Sequence, residues 1–119
     1  MTREAALKKL RPLCLALPSA AETLKWGADI VFEVNMKMFA ILGEWRGSLC
    51  LTVKVGKPAM GIFLNDPRFF EAPYVGKHGW VSLRLGEKPD WKEIAELVRA
   101  SYDLVSAKKP RSRSKPSTR

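Results

Sequence analysis

The hydrophobic periods along the chain predict an α+β fold, a two-layer sandwich with helices on one face of an antiparallel sheet. Three observations carry this. Apolar residues at the start recur at helical spacing, alternate like strands between about residues 22 and 55, and return to helical spacing near residue 90. Turn-forming residues separate the alternating runs, and nothing in their order asks for a parallel sheet. At 119 residues, with 46% hydrophobic and 28% charged side chains, the chain can bury one real core and is too short for two domains.

The elements follow in order. Ala6, Leu7, Leu10, Leu13, Cys14 and Leu17 recur every three or four residues, so residues 2–17 read as a helix with one buried face. Thr2 can cap it. Pro12 lacks a backbone donor and predicts a kink or break after the second turn, and Pro18 ends the helix. Ile30, Phe32 and Val34 alternate with Val31, Glu33 and Asn35, and Leu49, Leu51, Val53 and Val55 alternate with Cys50, Thr52 and Lys54. Each run reads as a strand with one buried face. The continuous apolar run 38–42 reads as a strand buried on both sides, which gives three or four antiparallel strands with turns near Gly27, Asn35-Met36 and 44–47.

Residues 57–65 predict a short helix with Pro58 in its first turn and Met60, Phe63 and Leu64 on its apolar side, stopped by Asp66-Pro67. Tyr74-Val75 and 80–85 read as the last two strands, joined through Gly76-Lys77-His78-Gly79. Val81, Leu83 and Leu85 should face inward, with Ser82 and Arg84 outward. Asp90, with Glu93 three residues on, opens a final helix to about Ala107, its stripe made by Trp91, Ile94, Ala95, Val98, Tyr102 and Val105. Residues 108–119 consist of Lys, Arg, Pro, Ser and Thr alone, so a disordered basic tail is expected after a domain spanning 1–107.

Charge is uneven. The formal charge is +9, from 21 Lys and Arg against 12 Asp and Glu, but six of the basic residues lie in 107–119. Residues 1–106 carry only +3. Cys14 and Cys50 match no metal-ligand spacing and fall on core elements, where a small buried hydrophobe is the usual role. A reducing cytoplasm, a monomer and no membrane span are expected, since no apolar run approaches about 20 residues.

Chemistry is sparse. One histidine, His78, has no partner nearby in the sequence, and the acids are mostly scattered singly. No Gly-rich phosphate loop is present, so neither an enzyme nor a cofactor or metal site is expected. What recurs is a cation beside a large apolar group at turns: Lys25-Trp26-Gly27, Lys37-Met38-Phe39, Trp45-Arg46-Gly47 and Lys77-His78-Gly79-Trp80. Such groupings suit phosphate contact with base stacking, and the tail residues Lys108, Lys109, Arg111 and Arg113 suit a basic arm along a nucleic acid. The plainer reading of each is core aromatics, solvated lysines and glycine turns.

Several of these segments resemble the MmcQ/YjbR family of small bacterial proteins. The resemblance rests on Leu15-Ala16-Leu17-Pro18, Leu24-Lys25-Trp26-Gly27, Phe32-Glu33-Val34, Lys37-Met38-Phe39-Ala40 and Leu49-Cys50-Leu51-Thr52-Val53-Lys54. It is strongest in Tyr74-Val75-Gly76-Lys77-His78-Gly79-Trp80-Val81 and continues through the closing helix, covering roughly residues 5–110. Met36 departs from the pattern, standing where the family often has glycine, as does Pro12. The resemblance implies a fold similar to CyaY-like and secretion-chaperone-like sandwiches, and DNA binding through a double wing of hairpins. Carried over by position, the wing residues are Lys25, Trp26, Lys37, Lys77, His78 and Trp80. The expectation is therefore weak DNA binding with little sequence preference. Its rival is a protein-interaction or chaperone-like module using the sheet face or edge.

Overall fold

The first helix leads into a four-stranded meander, and a second helix carries the chain to the remaining strands of the same sheet. The computed structural model describes residues 1–106. In chain order these form α1 (Arg3–Leu15), β1 (Ala20–Lys25), β2 (Asp29–Val34), β3 (Lys37–Trp45), β4 (Ser48–Lys54), α2 (Lys57–Leu64), β5 (Phe69–Glu71), β6 (Trp80–Arg84) and α3 (Trp91–Ser106). The sheet is antiparallel throughout, in the order β1-β2-β3-β4-β6-β5. Among the described residues, no helix is long and apolar enough to cross a membrane.

The helices share one face, as expected. Leu10, Phe32, Phe39, Leu42, Leu51 and Ile94 are each at most 1% exposed and join α1, α3 and the sheet in one core. α1 begins where Thr2 accepts a hydrogen bond from the Ala5 N–H, and α3 begins where Asp90 accepts from Lys92 and Glu93. Glu93 does not reach back to complete a capping box. Its carboxylate pairs instead with Arg68, which also holds Asp66 and so ties the loop before β5 to the start of α3. Those bonds hold the Asp66 carboxyl below its usual range. In the same way Arg11 of α1 makes a two-pronged bond to Glu22 of β1 and lowers that carboxyl.

A bulge explains the long apolar run of β3. The register between β2 and β3 shifts at Phe32/Glu33, so that Phe32 faces Ala40 while Glu33 faces Met38. One extra residue turns Phe39 and Ala40 both toward the helices, where both are fully buried. The β3–β4 ladder starts at the Ala40 and Val53 pair. Just beyond that pair the Ser101 hydroxyl of α3 donates to the Phe39 carbonyl at 2.6 Å and accepts from the Lys54 N–H at 2.9 Å. Ser101 is completely buried, so Ser101→Ala strands both backbone groups away from water. The expected loss is about 1–3 kcal/mol, read as a lower urea midpoint at unchanged slope.

Four expectations need correction. α1 runs through Pro12 without a break, because Pro12 and Lys8 are both exposed and the carbonyl deprived of its donor lies on the solvent side. The fifth strand is Phe69–Glu71 and not Tyr74-Val75; Gly76–His78 is a 3-10 turn and no hairpin tip. Residues 72–79 fold over the sheet face opposite the helices, where Val31, Ile41, Ala72 and Trp80 form a second small core. Ser82, expected outward, is 1% exposed beneath this cover and shares a 2.7 Å hydrogen bond with Thr52. The expected tail, 108–119, lies outside the described residues.

Candidate nucleic-acid interface

A meander turns at alternate ends of its sheet, and this decides which basic residues can act together. Lys25 pairs with Asp29 at one end of β2, while Val34 pairs with Lys37 at the other. Six strand residues separate these turns by roughly 20 Å. The first end, the tryptophan end, holds the turns after β1 and β3, with Trp26 and Trp45. The other holds the turn between β2 and β3, the exit of β4 and the entry of β6.

Lys37 opens β3 at this second, lysine end. Lys54 closes β4 opposite Trp80, and the Val55 and Gly56 N–H groups both donate to the Gly79 carbonyl, at 2.9 and 3.0 Å. Those two bonds bring Lys57, first residue of α2, beside the turn that carries Lys77 and His78. Lys37, Lys57, Lys77 and His78 are exposed and Lys54 is half-buried. None of the four lysines has an ion-pair partner among the described residues. Glu33 is engaged by Lys25 at 3.2 Å, which leaves Glu71 of β5 as the nearby acid outside an ion pair among those residues.

α3 runs toward the same end. Ser101 reaches Phe39 and Lys54, and the Tyr102 hydroxyl donates to the Pro18 carbonyl at 2.6 Å, just ahead of β1. The helix closes at Ser106, so the sequence with six basic residues, 107–119, departs from the lysine end. Lys108, Lys109, Arg111 and Arg113 themselves lie outside the described residues. The tryptophan end carries mixed charge, with Arg3, Arg46, Lys88 and Lys92 among Asp29, Glu44, Glu87 and Asp90.

The six wing residues therefore divide. Lys37, Lys77 and His78 come together, and Lys54 and Lys57, which motif reading passed over, join them through the Gly79 contact. The Lys25 backbone and Trp26 sit at the opposite end, and the Lys25 side chain reaches back along the sheet to Glu33. Trp80 is 6% exposed in the second core, so its ring cannot stack on a base.

The family model YjbR matches residues 15–104. The crystal structure of the Deinococcus radiodurans protein DR2400, with the domain DUF419, superposes with a TM-score of 0.71 at 25% identity, covering 82% of this chain and 76% of that one. A Pseudomonas syringae protein of known crystal structure gives a TM-score of 0.68 at 19% identity, over 88% of this chain and 99% of its own, a likeness of fold. No curated protein matches the chain.

Proposed function

The chain belongs to the YjbR family, and from that premise we propose that it binds nucleic acid, DNA in the first instance, through the lysine end of its sheet. The observation that supports this reading is the convergence of Lys37, Lys54, Lys57 and Lys77 at the end from which the basic 107–119 sequence departs. Clustered cations of this kind meet phosphates and release counterions. With Trp80 buried and Trp26 at the other end, no tryptophan stands beside these lysines to stack on a base. Contact with the backbone alone positions a protein without reading sequence, which matches weak binding with little preference.

Salt dependence tests this. Four phosphate contacts give a log–log slope of about −3 to −4 on duplex DNA, and each tail residue that engages adds about −0.9. Fluorescence anisotropy should show this slope in a full chain with Lys108, Lys109, Arg111 and Arg113 changed to glutamine. No binding at low salt would sink the proposal, and binding that disappears with the four tail charges would assign it to the tail. The rival, a partner chain on the sheet face or edge, finds part of that face occupied by residues 72–79, with the edge of β1 still open.

A further inference from the structure

A cavity of about 430 Å³ lies on the face of the sheet opposite the helices, between residues 72–75 and the hairpins of the tryptophan end. We propose that it binds a small organic cation with an apolar body, an ammonium or amidinium ion, independently of the lysine end. Its volume is within the ~300–1,000 Å³ of ordinary ligand sites.

The lining has a consistent chemistry. Trp26, Trp45 and Tyr74 form its aromatic walls, with the Trp45 and Tyr74 rings edge to face at 6.5 Å. Met38, Ile41 and Cys50 belong to its apolar lining, and the bonded hydroxyls of Thr52 and Ser82 add a polar spot. The Asp29 carboxylate borders it, and no lysine or arginine is among the lining residues. Asp29 has no ion-pair partner among the described residues. The Asp29 carboxylate lies against Gly43: a Cβ there would be 2.5 Å from its Oδ1, so only glycine leaves it that place on β3.

Folding alone does not explain the aromatic walls. Trp26 is 67% and Tyr74 89% exposed, and both adopt left-handed backbone, with φ of 54° and 68°. Bulky residues are rare in that conformation, and at the hairpin position of Trp26 asparagine or glycine would cost less. Exposed aromatic faces beside an unpaired carboxylate attract cations through both the ring quadrupole and the full charge. Arg46 lies over the Trp45 ring at 5.3 Å from outside the cavity lining, which leaves Trp26 and Tyr74 for a ligand.

The probe is benzyltrimethylammonium, titrated into the full chain and followed by backbone amide shifts, with phenylacetate as the anion of similar size. Saturable shifts confined to the cavity lining are expected at millimolar concentration or below, and phenylacetate should produce none. Asp29→Asn and Tyr74→Ala should each weaken binding by about tenfold, the scale of one lost charge or ring contact. Tyr74 is too exposed for its loss to unfold the domain, so it stands as the second variant should Asp29→Asn disturb the turn. Absence of saturable shifts, equal binding of phenylacetate, or unchanged affinity in folded Tyr74→Ala would each overturn the proposal.

Discussion

Gly79→Ala is expected to lower the stability of the domain by about 2–4 kcal/mol, well beyond what a left-handed glycine alone accounts for. At φ +92° an added Cβ would lie 2.9 Å from Gly56 C, Gly56 Cα and Lys57 N, all backbone atoms that no rotamer change can move. The Gly79 carbonyl also accepts from both Val55 and Gly56, so any shift that relieves the clash loosens two hydrogen bonds. Gly47→Ala is the control. Its φ is +83°, yet nothing lies within 4 Å of the added carbon, so it should cost about 1–2 kcal/mol. Urea unfolding of the two variants separates the terms. Equal losses would mean that the approach of 79 to 56–57 is not what holds the lysine end together.

Most of the fold is legible from local patterns because local patterns decide it. The period change, Thr2 and Asp90 as caps, and Pro58 in the first turn of α2 all follow from short-range chemistry. The misses are tertiary. Ser82 sits on the predicted outward side, but residues 72–79 come back over that face and bury it. Ser101 carries no apolar signal; its place in the core depends on a bulge at Phe39 and an opening ladder 62 residues away in sequence. Tyr74-Val75 looks like a strand because both residue types favour strands, while the pairing went to Phe69–Glu71.

The candidate site was partly within reach of the same reading. Once Ile30–Val34 is read as a strand between turns at Gly27 and Asn35-Met36, alternation alone puts Lys25 and Lys37 at opposite ends. Pairing the wings by shared composition overlooked that constraint. Lys54 and Lys57 escaped because each lies at the edge of an element with no aromatic beside it in sequence, and only the Gly79 contact joins them to Lys77.

Changing Lys37, Lys57 and Lys77 together to glutamine is the second large effect. These side chains are exposed, so the fold should keep its urea midpoint within about 0.5 kcal/mol equivalent. Each phosphate contact contributes about 0.9 log unit at 0.1 M salt, so losing three lowers duplex affinity by about a hundredfold or more. The salt slope should flatten by about 3. Arg46, Lys88 and Lys92 changed to glutamine remove the same charge from the tryptophan end, at about twice the ~10 Å Debye length from the lysines. The direct measurement is the anisotropy-detected affinity of these two triple variants for one duplex at 0.1 M salt. With an interface at the lysine end, the large loss falls on the Lys37, Lys57, Lys77 variant and the other changes by less than about threefold. Equal losses in both would contradict it, reducing the binding to net charge with no interface at the lysine end.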